Sequence, residues 1–501
     1  MHSLFKRSGY WILPIIVTAL VQGGCARSDL SESATPQKPD LVIQGGYLLD
    51  MISDEPDARL IKGLVVRGGR IERILELGSS EVLPGSTSVI DGRGLYILPG
   101  FVDSHIHFRP WFPRPFIHYG VTTVMDTAPC PDCAEDSGQD PNEWILKQKE
   151  SLAAPDALGP AMFVTGMKLD GPTGKKEPNV YTIRSLDEIA PRVQFLADLG
   201  VSGIKVEESL TPAFRRRVVE EAEKHNMPVV GHSREAQESI AAGMKFIEHM
   251  LPIARSLVPE DAVAGEHTMD LDRAPSLIEL MIQNRVYLNP TLLARYGHLS
   301  DRAEAFAQQD AELLRSSLFD DVPSDVRAVM LSSFLRAAKM PEEQRRQARE
   351  GLRRVEAFVR DFSARGGLLL AGTDSIGGRV PGVSMQRELQ LLVDAGVSPY
   401  KALLGATRLA SDFMRMSDHI GTLQSGRQAD IVILGANPVE TISATEDIRY
   451  VMRRGVVMRG RVNDTAMTSQ LFRGMRTLAS CQAPASLVGP SAMISRGLLC
   501  T

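Results

Sequence analysis

The chain has 501 residues, of which 43% are hydrophobic and 23% charged, and its formal net charge is -5. That is enough chain for one large domain with a smaller companion, each able to bury a core. The mildly acidic balance argues against a nucleic-acid partner, and the short basic run Arg215-Arg216-Arg217 lies among glutamates in helix-like sequence, the pattern of a solvated face.

At the N-terminus, Lys6 and Arg7 precede an apolar run over residues 10–21, which ends in Gly23, Gly24 and Cys25 and gives way to a polar stretch. The run is too short to span a bilayer and has the three-part build of a secretory signal over residues 1–25. Export to the periplasm or the cell envelope is therefore expected. Cys25 resembles the processing box of bacterial lipoproteins, in which the cysteine is lipidated and anchors the chain to the membrane; Gln22, where an aliphatic residue is usual, leaves a plain cleaved signal as the equal alternative. Residues 26–39 read as a polar linker.

Residues 40–98 read as short strands separated by Gly and Asp turns, and a similar patch returns over residues 420–465. Two such patches flanking a long middle predict one small β-sandwich domain made from both chain ends. Residues 99–419 alternate apolar strand-like runs with amphipathic segments. The strands are read at FVDSHIHF, GVTTVMDT, AMFVTGMKL, GIKVEE, PVVGHS, FIEHM, VYLNPTLL and GLLLAGTDS. Eight strand-helix repeats predict an α/β fold, a (β/α)8 TIM-like barrel whose strands are nearly continuous apolar runs because both faces are buried. The charged region over residues 299–365 reads as wholly helical, a solvated insertion after the seventh strand. In CPDC, Cys130 and Cys133 read as the staple of a polar loop without a helix start, and export makes a disulfide feasible. Cys481 and Cys500 form a second candidate pair in the C-terminal tail, residues 466–501.

In such a barrel, chemistry sits at the C-terminal ends of strands. His105 and His107, two apart in a strand, point to one face and can share a metal ion. Alone they could equally be partly exposed strand residues. Lys205, His232, His249 and Asp374 then follow at the ends of later strands, so that four of the ten histidines stand at strand mouths, which chance does not readily produce.

With these residues the chain resembles the amidohydrolase superfamily of metal-dependent hydrolases. The likeness rests on PGFVDSHIH, GVTTVMD, the lysine of GIKV, GHS, IEH, GTDS, SPYKALLGATRLA and GTLQSGRQADIVIL, and it covers residues 40–465. Within the superfamily it is most similar to imidazolonepropionase-related proteins and prolidase-like exported dipeptidases. The resemblance implies two zinc-class divalent ions. His105 and His107 would hold one with Asp374, and His232 with His249 the other. Lys205, carboxylated to a carbamate, would bridge them, because an ammonium cannot ligate a cation. A hydroxide shared by the ions would attack a carbonyl, with Asp374 as general base and then acid. The implied reaction is hydrolysis of a C–N amide bond in a small-molecule substrate, a dipeptide or an N-acyl amino acid.

Three alternatives stay open. The spacing of His232 and Glu235 matches the H-x-x-E of single-metal deaminases and cyclic-amide hydrolases, in which the glutamate moves protons; its bland reading is a first-turn helix acid. The same two-metal site would also serve a lactonase or esterase, and a non-enzymatic surface-binding lipoprotein is the third reading. The loop over residues 169–178 could line the pocket but lacks phosphate-loop spacing. Asn289 and Thr291 are candidate substrate contacts, Arg109 a candidate carboxylate partner or surface salt bridge, and His118 a structural residue. The substrate-contacting residues and the oligomeric state are not legible at this level.

Overall fold

The computed structural model describes residues 40–85, 88–259, 265–376 and 378–460. The signal-like segment with Cys25, the polar linker, and the tail with Cys481 and Cys500 lie outside the described residues. No helix among the described residues is long and apolar enough to cross a membrane.

Residues from both chain ends share one nine-stranded sheet. Its N-terminal members are β1 (Leu41–Gln44), β2 (Tyr47–Leu49), β3 (Ala58–Arg67), β4 (Arg70–Glu76), β5 (Ser88–Asp91) and β6 (Tyr96–Pro99). After ten intervening strands among the described residues the chain returns to this sheet as β17 (Ile431–Leu434), β18 (Ile448–Arg453) and β19 (Val456–Arg459). The order is β19-β18-β17-β6-β2-β3-β1-β5, with β4 on β3. The join between the two ends is β17 against β6, antiparallel, with Ile431 opposite Pro99 and Leu434 opposite Tyr96. Inward-facing Ile43, Leu48, Leu64, Ile97, Ile431 and Ile433 are all fully buried in one cluster, each stabilising the sheet by about 1.5–3 kcal/mol relative to exposure.

Between these ends the strands are parallel. They are β7 (Phe101–Ile106), β8 (Val121–Asp126), β9 (Ala161–Val164), β10 (Lys168–Asp170), β11 (Val180–Thr182), β12 (Ile204–Val206), β13 (Val229–Gly231), β14 (Phe246–Glu248), β15 (Tyr287–Asn289) and β16 (Leu368–Leu369). They fall into three sheets, β7-β8-β9, β11-β10-β12-β13 and β14-β15-β16. A hydrogen bond from Ser202 N to Val164 O, 2.7 Å, ties the entry of β12 to β9. The residues after β16 lie beside β7, through Ser104 N to Ala371 O at 3.2 Å and His107 N to Ser375 O at 2.9 Å. Every residue of β7 and β8 is buried, as parallel strands covered on both faces must be.

The α/β class read from the sequence is the class observed, with three local corrections. AMFVTGMKL is two strands, because Gly166, at φ +67, turns the chain between β9 and β10. The short strand β11, unread in the sequence, pairs in parallel with β10. Of GLLLAGTDS only Leu368 and Leu369 form regular ladder; Leu370 N still bonds Leu288 O of β15 at 2.9 Å, and Ala371, Asp374 and Ser375 are held by single bonds to β7 and its exit. Cys130 and Cys133 are joined in a disulfide. That loop does contain a helix start: Cys130 is the N-cap of the helix Pro131–Asp136, its Sγ accepting from Cys133 N at 3.1 Å.

The region over 299–365 is helical, with α-helices Ala303–Leu313, Ser324–Ser332 and Glu342–Ala364 interspersed with 3-10 turns. Leu352, Val355, Phe358, Val359 and Phe362 give the last helix a buried stripe at three- and four-residue spacing, and arginines and glutamates fill its outer face. A fully buried ion pair, Arg387 to Asp310 at 2.7 Å, fastens this insertion to the helix Val383–Asp394.

Candidate active site

The structure brings His105, His107, Lys205, His232, His249 and Asp374 to the C-terminal ends of the parallel strands. His105 and His107 share a face of β7 and its exit, their ring centroids 5.4 Å apart. His107 Nε2 lies 3.4 Å and His105 Nε2 3.7 Å from Asp374 Oδ1. The ring of His249 is 5.2 Å from that of His105 and 5.2 Å from that of His232.

At the centre stands a residue that sequence reasoning passed over. Glu248 is fully buried at the end of β14 and contacts Lys205 Nζ through Oε1. The same oxygen is 3.2 Å from His232 Nε2, and Oε2 is 3.4 Å from His105 Nδ1. Strand alternation would put neighbours Glu248 and His249 on opposite faces. His249, however, takes a left-handed conformation at φ 62, which turns its ring back to the side of Glu248. Two groups of potential ligand atoms result, His105 with His107 and Asp374, and His105 with Glu248 and His249, each with its atoms within 4.8 Å of one another.

A ring of partners orients these side chains. Glu207, just past β12, accepts from His232 Nδ1 at 2.7 Å, which turns Nε2 toward the centre. Thr291 Oγ1 does the same for His249 Nδ1 at 2.6 Å, and Thr127 Oγ1 is 3.2 Å from His105 Nε2. Gly231, at φ 142, lets β13 press against β12: a Cβ there would lie 1.9 Å from Val206 O, and the following His232 N donates to that carbonyl at 3.0 Å. Asp374 sits at φ 45, its amide donating to His105 O at 2.8 Å.

Asp103, to which the sequence assigned no role, accepts from Thr373 N at 2.9 Å and Thr373 Oγ1 at 2.7 Å and so holds the turn that presents Asp374. Ser104 donates to Ala371 O at 2.8 Å and accepts from Asn289 Nδ2 at 3.0 Å. Asn289 and Thr291 thus serve the scaffold and a histidine. Glu235 is the N-cap residue of the helix Ala236–Ala241, half-buried, with no cap hydrogen bond from its side chain. Arg109 Nη1 donates to the carbonyls of His107 and Phe108 at 3.2 and 2.9 Å, a backbone clamp in place of the surface salt bridge. His118 ends the helix Pro113–His118, where burial, then the charge of Arg459, lowers it to about 4. In the loop over 169–178, Asp170 gathers the amides of Gly171, Lys175 and Ser209.

Electrostatically the centre lowers the pKa of three of its imidazoles and of both of its central carboxylates. Burial is the main cause lowering His105 to about 4, and it also lowers His107 and, strongly, His249. Burial pushes Glu248 up, but Lys205 and the three surrounding histidines hold it well below the usual carboxylate range. The same contest, won by His107, His105 and His249, keeps Asp374 low. Asp126 differs: buried at the end of β8, it accepts from Phe108 N at 2.7 Å while its Oδ2 has no partner, and burial raises it to about 8.

A raised folded-state value means that the native chain prefers the proton, so this carboxyl favours folding below about pH 4 and progressively loses that contribution as pH climbs toward 8. Asp126→Asn keeps the acceptor and carries no charge. Its melting temperature is therefore expected to rise relative to the native chain between pH 5 and pH 8; a difference independent of pH would show that Asp126 is ionised throughout.

The amidohydrolase family model matches residues 96–462 of the chain. The adenine deaminase of Bacillus subtilis (strain 168) is 31% identical over 128 residues, covering 24% of this chain and 20% of that protein. The N-acyl-D-aspartate deacylase of Alcaligenes xylosoxydans xylosoxydans is 39% identical over 104 residues, 20% of this chain and 19% of that protein. The chain thus spans about a fifth of the length of these relatives. A crystal structure of a Xaa-Pro dipeptidase with methionine in its active site covers 84% of this chain and 100% of its own, with TM-score 0.58 and 21% identity, a likeness of fold. Neighbours of this kind carry a TIM-barrel domain, the architecture to which the parallel strands β7 to β16 correspond. With a family model that runs from β6 to beyond β19 and takes in every strand end described above, the chain belongs to the amidohydrolase family of metal-dependent enzymes.

Proposed function

We propose that this chain is an exported amidohydrolase that cleaves a C–N amide bond, in a dipeptide or an N-acyl amino acid, on a closed (β/α)8 barrel flanked by a β-sandwich. Family membership supports the reaction class, and the basic-apolar-small pattern of residues 1–25 supports export, with Cys25 as the lipid anchor or the end of a cleaved signal. The observation that carries the proposal is the donor set itself. His105 Nδ1 and Glu248 Oε2 are buried 3.4 Å apart and neither completes a hydrogen bond, a costly arrangement that a cation between them relieves. Neutral imidazoles beside anionic carboxylates are the state that ligates zinc-class ions.

In this reading His105, His107 and Asp374 would hold one divalent ion and His232 and His249 a second, with His105 and Glu248 also within ligand reach of His249. Lys205, if its amine is carboxylated, would supply anionic oxygens to both. A carbamate beside Glu248 would set two anions side by side where an ion pair now stands, and only bound cations would hold them there. Bound divalent ions would supply Lewis acidity, making water nucleophilic near neutral pH and polarising the scissile carbonyl.

The chain's own residues do the rest. Asp374, kept anionic by the histidines and fixed by Thr373 and Asp103, takes the proton from the attacking water and passes it to the departing nitrogen. Glu207 and Thr291 hold the rings of His232 and His249 through their Nδ1 atoms, which leaves each Nε2 turned inward.

The test is elemental analysis of the purified full chain together with a hydrolysis screen of dipeptides, N-acyl amino acids and lactones. About two zinc-class ions per chain and turnover of an amide are expected, with activity lost in Asp374→Asn. A chain that holds no ion tightly would sink the proposal.

A further inference from the structure

Beside the histidine and carboxylate centre, the fold collects positive charge from three distant parts of the chain. Arg295 lies in the short helix Leu292–Tyr296 after β15, and Arg379 in the loop after β16. Arg336 belongs to the 3-10 stretch Ser333–Lys339 of the helical insertion. Arg379 Nη2 bonds Ala294 O, next to Arg295, and a Cβ on Gly297 would lie 3.0 Å from Phe334 Cε1, two residues before Arg336, so the three segments pack together. Burial lowers Arg379; Asp374 pulls it back up, and Arg336 and Arg295 press it further down. Arg336 is lowered first by partial burial of its head and then by Arg295. His298, in the same group, is lowered to about 4 by burial and by Arg336 and Arg379, and its buried Nδ1 has no hydrogen-bond partner.

Among the described residues none of the three arginines forms a salt bridge, and what hydrogen bonds fix their heads go to neutral backbone: Arg379 Nη2 to Ala294 O, and Arg336 Nε to Ser333 O at 3.1 Å. The frame around them is firm. Buried Glu388 accepts from Leu292 N at 2.9 Å and Leu293 N at 2.7 Å, pinning the start of the helix that carries Arg295. A Cβ on Gly378 would lie 3.4 Å from Val329 Cγ1, so the insertion packs on the loop that carries Arg379. Like charges gathered without a salt bridge cost folding energy, which Asp374 and Glu388 offset only at Arg379. An anion arriving with the substrate relieves that cost.

We propose that Arg295, Arg336 and Arg379 form an anion subsite beside the hydrolytic centre, which receives the free carboxylate of the dipeptide or N-acyl amino acid. The assignment of that carboxylate to a substrate rests on the amidohydrolase reading; the binding of an anion does not. The planar guanidinium fork matches a carboxylate in two parallel hydrogen bonds. Asp374 and Glu388 already act on Arg379, which leaves room for one negative charge better than two. Exposed Val329 and Ile376 beside the cluster offer apolar surface to the amino-acid side chain. Arg109 is a poorer candidate, since its Nη1 is engaged by two carbonyls and it lies in the field of Asp126 and Asp132.

The test uses the full-length, metal-loaded protein and calorimetric titration with 4-methylpentanoate, which presents a carboxylate and no cleavable bond, and with 4-methylpentan-1-ol. The carboxylate is expected to bind at least about tenfold tighter than the alcohol, and Arg336→Met and Arg295→Met are each expected to weaken the carboxylate about tenfold and leave the alcohol within about twofold. Arg336 is exposed, so that variant folds even if changes at half-buried Arg379 do not. Equal affinity for the two ligands, or a carboxylate affinity indifferent to both variants, would overturn the subsite. Elemental analysis of the same samples separates the two proposals. Arginine-dependent binding in a chain without ions upholds the subsite and removes the hydrolase; ions and turnover without arginine dependence do the reverse.

Discussion

Replacing His105 with alanine is expected to empty the centre of its ions and to lower kcat/KM at least about 10³-fold, roughly 4 kcal/mol of transition-state stabilisation. The reason is its position. His105 is the one side chain common to both groups of candidate ligand atoms. Its Nδ1 faces Glu248 and its Nε2 faces Asp374, so its loss leaves both carboxylates without the imidazole between them. His107, by contrast, belongs only to the group with Asp374. His107→Ala is therefore expected to lose about one ion equivalent and keep the other. Elemental analysis after gel filtration, with circular dichroism to confirm the fold, reads the difference. Native-level metal in His105→Ala would refute the shared-ligand arrangement.

The second large effect concerns Lys205 and Glu248 in chelator-treated protein. Both side chains are fully buried and in contact, so removing one partner strands a charge where water cannot reach it. Such a change typically costs about 3–5 kcal/mol. Glu248→Gln is expected to fall in that range, because buried Lys205 loses the carboxylate it contacts. Lys205→Met should cost less. The charge of Glu248 still has His105, His232 and His249 around it. The double variant Lys205→Met/Glu248→Leu removes both charges and is expected to regain most of the lost stability, a coupling of at least about 2 kcal/mol in denaturant titrations. It should bind no bridged pair of ions even so. Additive losses in the two single variants would mean that the pair is not a coupled unit.

These two experiments address residues that differ in how visible they are in the chain. His105, His107, Lys205, His232, His249 and Asp374 could be named in advance because each follows a short apolar run that a parallel sheet requires, and residues at the exits of such strands lie at one end of the sheet. The parallel α/β class and the shared sheet of the two chain ends were legible for the same reason. Strand periodicity and turn residues are local properties, written in adjacent letters.

Glu248 was hidden by that same logic. Alternation assigns it to the face away from His249, and only the left-handed turn at His249 brings both to one centre. The roles of Glu207, Thr291, Thr127 and Asp103 are likewise set by partners 25, 42, 22 and 270 residues away. No window of sequence contains such a pair.

What this sequence by itself determined is the periodic framework and the polar residues that stand at its strand exits, because backbone geometry translates spacing directly into direction. What only the tertiary structure decided is which of those residues share a charge environment: Lys205 with Glu248, His232 with Glu207, and three arginines with one another. Coulomb energy depends on distance through space and on the removal of water, and both exist only once the strands have been brought side by side and the insertion has closed against them.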